Sequence, residues 1–272
     1  MLKKRIITAV VALSVFVPAL LLNLGWLFLG IMTLFLLIGL LENFSLSRMR
    51  SPLLFAAFWT IVALAILGRS PTIQILPLFM VCSGMWLSLF MFLLWRGLPP
   101  LAHPINSAIV ALYSVAIVGA FIAAIEFFMY SPYLLLSVLV VVWSADIGAY
   151  FAGKFFGRHK LAPRVSPGKT WEGLVGGWLM VLLVAFLWAK FDPSRGNFFI
   201  DLITRLGLLG TIASLTLLVG VSVAGDLFES LLKRRLGVKD SGWVLPGHGG
   251  VLDRIDALIP VLPVAALIYF IR

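Results

Sequence analysis

Eleven acidic residues occur in this 272-residue chain, and five of them, Asp226, Glu229, Asp240, Asp253 and Asp256, fall in a single polar run. Lys233, Arg234, Arg235, Lys239 and Arg254 lie among them. Asp226, Glu229, Ser230 and Lys233 recur at i, i+3, i+4 and i+7, which puts them on one stripe of a helix. Asp253 and Asp256, three apart, share a face of the next helix. Two facing helices with carboxylates at their mouths can hold a hard cation such as Mg²⁺ through oxygen ligands. Neutralisation of the neighbouring bases is the plainer alternative, but it does not call for the loop Pro246-Gly247-His248-Gly249-Gly250 between the acids. Glycines there let a phosphate approach the backbone closely, although an ordinary turn would use them too. His248 could hydrogen-bond a substrate or orient a carboxylate. The basic cluster suits a polyphosphate or a lipid headgroup, and it would serve equally as a membrane anchor.

A second polar segment runs from Trp143 to Gly173. Asp146 and Tyr150 are four apart and share a helix face. Spacing leaves open whether Asp146 belongs to a site or is an interfacial carboxylate. Gly148 and Gly153 suit close helix packing. The run Ser166-Pro167-Gly168-Lys169-Thr170 resembles the end of a phosphate-binding loop, but that pattern needs a glycine at position 163, where this chain has proline. What survives is a point charge at Lys169, for phosphate or for anchoring, and a helix cap at Thr170. His159 reads as solvated or lipid-facing rather than catalytic, and His103 has no catalytic reading either. Glu126 is the one acid placed inside an expected span of the first half; it is either functional or near enough to a span end to reach the interface.

The elements that position these residues are set by composition. The chain is 62% apolar and 12% charged, with a mean hydropathy of +1.10, where soluble domains carry about 25% charged residues. Apolar runs near bilayer length, continuous rather than alternating, exclude a β-barrel and predict an all-α, polytopic membrane bundle. The expected spans are about nine: 6–22, 24–41, 52–68, 73–95, 105–129, 131–150, 173–190, 206–225 and 257–271. Residues 1–130 form an N-terminal membrane-embedded part, and 131–272 form the part carrying the site. Cys82 stands alone, so there is no disulfide framework. The formal charge of +10 is explained by basic residues flanking the spans rather than by nucleic acid. With the N-terminus inside, 16 of the 21 Lys and Arg residues fall on the cytoplasmic side, the sign expected for that orientation. Both polar segments then share the cytoplasmic face.

The run Ser230, Lys233-Arg234, Lys239-Asp240, His248-Gly249-Gly250 and Asp253-Arg254-Ile255-Asp256 resembles the signature of phosphatidate cytidylyltransferases, or CDP-diacylglycerol synthases. Ser166-Pro-Gly-Lys-Thr-Trp-Glu172 is similar to a second stretch of that family. The resemblance implies that CTP and phosphatidate give CDP-diacylglycerol and diphosphate with Mg²⁺, a second cation being compatible, at the cytoplasmic face of a bacterial plasma (inner) membrane. A homodimer is also compatible with it. It implies metal ligation by Asp226 and Asp253, with Asp146 and Asp256 as further ligands. Phosphate contacts fall to Lys169, Lys233, Arg234, Lys239 and Arg254, with Asp226, Asp253, Lys233 and Arg254 at the reacting centre. Ser166, Thr170, Glu172, Ser230, His248, Gly249 and Gly250 are further substrate contacts.

Two other readings compete. A CTP-dependent polyprenol or phytol kinase would release CDP rather than diphosphate. A transporter would place its acids near the midplane between repeated helices, whereas here they gather at one interface. The orientation makes a direct prediction. Single cysteines replacing Lys160 and Asp240 should resist an impermeant thiol reagent in intact cells and react once the membrane is opened; labelling from outside would invert the topology.

Overall fold

The computed structural model describes residues 14–68, 72–192, 196–244 and 249–271. Residues 14–21 are helical (α1) and turn at Asn23, whose φ of 51° lies in the left-handed region, into α2 (Gly25–Leu46). The turn falls at the one-residue gap between the expected spans 6–22 and 24–41. α3 (Pro52–Leu67) starts on a proline, which costs nothing where the first amides lack partners. α4 (Thr72–Met85) runs through a π-helical stretch, Trp86–Phe90, into α5 (Met91–Arg96). α6 (Ile105–Tyr130), α7 (Pro132–Phe156), α8 (Trp171–Phe191) and α9 (Phe198–Arg235) are the long helices, followed by the single turn α10 (Leu252–Ile255) and by α11 (Leu258–Phe270). Among the described residues, six helical stretches are long and apolar enough to cross a membrane: Gly25–Leu46, Gln74–Arg96, Ile105–Tyr130, Pro132–Phe156, Trp171–Phe191 and Phe198–Arg235. The other expected spans fall on α1, α3 and α11, which are shorter where described.

Two features depart from a purely helical reading. Lys160–Ala162 (β1) and Ser166–Thr170 (β2) pair antiparallel, Lys160 with Thr170 and Ala162 with Ser166. This small ribbon joins α7 to α8. The span expected at 206–225 is part of a helix that begins at Phe198 and continues to Arg235, with a kink at Gly207, where φ is 68°. Charge marks where a helix leaves apolar surroundings, not where it stops, so α9 carries its polar stripe well past the expected boundary.

α6 and α11 form the centre. α6 buries most of its length, and α11, wrapped by α4, α6 and α9, buries Ile259 through Ala266 without a break. At the end of the bundle away from the ribbon, Phe127, Phe198 and Tyr269 pack edge to face or stacked, with centroids 5.9 to 6.4 Å apart. The expected division at residue 130 falls at Ser131, between α6 and α7. Contacts cross it, as α11 packs on α4 and α6 and the Arg235 guanidinium donates to the Pro99 carbonyl at 3.2 Å.

α7 and α8 meet backbone to backbone. A Cβ added at Gly148 would lie 2.6 Å from the Gly176 carbonyl and 2.6 Å from Met180 Cβ, and one at Gly177 would lie 2.6 Å from the Ala145 carbonyl. Small residues let membrane helices approach this closely, and dispersion then holds them. Gly225 plays the same part between α9 and the start of α11: an added Cβ would press on the Asp256 carbonyl and lie 2.8 Å from Pro260 Cγ. Gly225→Ala should therefore cost about 1–3 kcal/mol through overpacking. The check is a lowered thermal midpoint of the purified variant in detergent, with activity falling alongside because Asp226 is the next residue.

Candidate active site

The ribbon end of the bundle holds a cleft of about 500 Å³ lined from α7, β2, α8 and α9, including Asp146, Tyr150, Lys154, Lys169, Thr170 and Asp226. Asp146 and Tyr150 thus face the cleft together, as their spacing requires. The ribbon carries Lys169 across it, and Lys169 Nζ meets Asp226 Oδ2 at 2.7 Å. Ser230, one turn along α9, donates to the other Asp226 oxygen at 3.3 Å.

Local chemistry holds the ribbon in place. Thr170 caps α8 by accepting the Gly173 amide at 3.1 Å. Glu172, in the first turn, accepts the amides of Arg158 and His159 at 3.1 and 3.2 Å, and the His159 ring nitrogen lies 2.6 Å away. Glu172 therefore braces the strand opposite Lys169. Arg234 Nε donates to the Val165 carbonyl at 3.3 Å, tying α9 to the turn of the ribbon. Ser166 opens β2 opposite Ala162. Gly168 has a Cβ-sized open space beside it and no left-handed φ, so its use is to keep that face of the ribbon clear.

A second group lies further along α9. Lys233 pairs with Glu229, one turn before it, and with Asp253 Oδ1 at 2.6 Å. Asp253 Oδ2 accepts the amides of Ser241 and Gly250 at 2.9 and 2.8 Å. Burial works against its charge, but the bonds from Lys233, Glu229 and these amides outweigh it and hold the carboxyl below the ordinary carboxylate range. Gly249 has a φ of 85°, and a Cβ there would lie 2.7 Å from Asp253 Oδ2, so glycine is required for this close approach. Lys239 and Arg254 are exposed at the same end. His248 and Gly247 lie outside the described residues.

The four expected carboxylates therefore divide. Asp146 and Asp226 line the cleft with Lys169, whereas both Asp253 oxygens are taken up by Lys233 and the loop backbone. Asp256 stands between the groups, feeling Asp226, Lys169 and Lys233. Burial and the adjacent Asp226 push its carboxyl up to about 8. Oxygen donors of this kind suit Mg²⁺, and the crowding of Asp256 against Asp226 marks negative charge that a cation would relieve. Among the described residues, no three such side chains already enclose an ion-sized position.

Sequence reasoning missed Glu42. It ends the apolar part of α2, one residue past the expected span, and its carboxylate accepts the amides of Val251 and Leu252 at the head of α10. The adjacent polar pair Glu42-Asn43 was the available signal: Asn43 is also buried and donates to Ser114 Oγ at 3.0 Å. Glu126 is buried in α6, toward the end of the bundle away from the ribbon.

A carboxyl raised on folding contributes stability at low pH that is lost as pH climbs through its folded value. In chelator-treated protein, Asp256→Asn should therefore leave the thermal midpoint near wild type at about pH 4, the ordinary Asp value. The variant should become progressively more stable than wild type as pH rises to about 8. Parallel curves across that window would show that Asp256 is not held in this way.

A profile of the cytidylyltransferase family matches residues 3–272. A phosphatidate cytidylyltransferase of Haemophilus influenzae is 34% identical over 292 aligned positions, covering 99% of each chain. One from Staphylococcus aureus is 35% identical over 265 positions, 96% of each. One from Pseudomonas aeruginosa is 50% identical over 137 positions, covering 50% of this chain and 47% of its own.

Proposed function

The chain belongs to the cytidylyltransferase family, and we propose that it transfers the cytidylyl group of CTP to phosphatidate, giving CDP-diacylglycerol and diphosphate in phospholipid synthesis. The observation that carries this reading is the cleft in which Lys169, Asp226 and Asp146 converge at one end of an apolar bundle. Both substrates are polyanions, one of them embedded in lipid. A basic, oxygen-donor site at the end of membrane-spanning helices matches that pair of demands.

An oxygen of the phosphatidate phosphate attacks the α-phosphorus of CTP; the new P–O bond forms as the bond to the β-phosphate oxygen breaks, and diphosphate leaves. The attacking oxygen is already anionic, so positioning and charge neutralisation lower most of the barrier. Lys169, Lys233, Arg234, Lys239 and Arg254 supply the positive charge. Lys169 is held at the cleft by Asp226, and it can exchange that partner for a phosphate oxygen. Asp146, Asp226 and Asp256, with Asp253 alongside, would hold Mg²⁺, a second cation being compatible with so many acids. When bound, it would serve as Lewis acid and as a clamp on the phosphate oxygens. The reactive end faces the cytoplasm of a bacterial plasma membrane in a topology of about nine spans, a reading supported by the bias of basic residues.

With α-labelled CTP and phosphatidate in mixed micelles, wild type should form labelled lipid and release diphosphate, and a chelator should abolish both. Release of CDP with a phosphorylated alcohol would favour the kinase reading. Asp226→Asn should cost about 100-fold or more in kcat; activity near wild type in that variant would remove Asp226 from the centre.

A further inference from the structure

Glu42 lies outside the cleft, yet Ser241, Gly242 and the backbone of residues 250–252 close around it. The residue is 3% exposed. Its carboxylate accepts the Ser241 hydroxyl at 2.8 Å, the Val251 amide at 3.0 Å and the Leu252 amide at 2.8 Å. Room for it is made by Gly242 and Gly250, since a Cβ on either would run into the carboxylate. A buried carboxyl group left without donors is strongly destabilised, so Ser241 and residues 251–252 are confined to arrangements that keep these three donors aimed at Glu42.

Ser241 connects this grip to the reacting centre. Its hydroxyl bonds to Glu42 while its amide bonds to Asp253 Oδ2 at 2.9 Å, the oxygen that also takes the Gly250 amide. Glu42 and Asp253 thus hold one stretch of backbone from opposite sides, and Asp253 in turn meets Lys233. A displacement of Glu42 is passed through Ser241 and the Val251 and Leu252 amides to the direction in which Asp253 points.

We propose that Glu42 is a positioning residue for cytidylyl transfer, setting Asp253 and Lys233 through Ser241 and the Val251 and Leu252 amides. The proposal rests on the reading of Asp253 as a member of the reacting centre. The alternative is a tether that stabilises the fold without affecting the chemistry of folded molecules.

The test compares wild type with Glu42→Gln, Ser241→Ala, Asp253→Asn and the Glu42→Gln/Asp253→Asn pair, each as the monodisperse fraction in detergent. Thermal midpoint, kcat, and KM for CTP and for phosphatidate are measured, with labelled CTP making residual turnover readable. Glu42→Gln should lose about 10- to 100-fold in kcat, as supporting partners of site residues do, with KM for phosphatidate within about twofold. Ser241→Ala, which leaves Glu42 two of its donors, should lose about three- to tenfold. The double variant should fall no more than about twofold below Asp253→Asn, because the two changes act on one unit. A Glu42→Gln enzyme with kcat within about twofold of wild type, or a double variant in which the two losses multiply, overturns the proposal. If Glu42→Gln does not yield folded protein, Ser241→Ala decides, and wild-type kcat there overturns it. Wild-type turnover in Asp253→Asn would instead remove the reading on which the proposal rests, whatever Glu42→Gln does.

Discussion

A carboxylate placed among apolar helices must be given a cation or a set of hydrogen-bond donors, because no water is there to solvate it. That requirement organises the ribbon end of this protein. Glu42, Asp226, Glu229 and Asp253 each have identified partners, and these come from distant parts of the chain: a ribbon lysine for Asp226, a loop for Glu42 and Asp253, and Lys233 for both Glu229 and Asp253. Satisfying the acids therefore brings together α2, the ribbon, α9 and α10. Where such a pair borders an open cleft, as Lys169 and Asp226 do, the ammonium has a chemistry that suits phosphate as well as carboxylate.

The two charge groups on α9 differ in what they offer. Lys169 and Asp226 border an open cleft and meet through one ion pair at a half-exposed position. Such a pair is weak and easily replaced. Lys233 and Asp253 are more buried, and Asp253 is locked by two backbone amides, so breaking the pair would leave an uncompensated charge. The first group is suited to trading partners during a reaction and the second to keeping a fixed shape beside it, with Asp256 bridging them electrostatically.

Much of this is legible in the order of residues alone, and the exceptions have physical causes. Apolar runs locate the helices because bilayer length is a strong constraint, and the i, i+3, i+4, i+7 stripe places Asp226, Ser230 and Lys233 on one face. Spacing tells which residues share a face but not what that face meets, so the division of Asp253 from Asp146 and Asp226 is out of its reach. The ribbon is hidden because Ser166-Pro167-Gly168 carries no strand preference; its pairing depends on Glu172 and Thr170 bracing it from the next helix. Glu42 is hidden for the opposite reason. Its donors lie 199 to 210 residues further along the chain, and at the end of an apolar run an acid reads as an ordinary boundary.

The shortness of α11 has a geometric consequence. Its 13 residues rise about 20 Å, while a hydrocarbon layer is about 30 Å thick. Because α11 is enclosed by other helices, it has no lipid to match and its length is free. The acids that precede it, Asp253 and Asp256, therefore take their position from the helices packed around α11 rather than from the length of α11 itself.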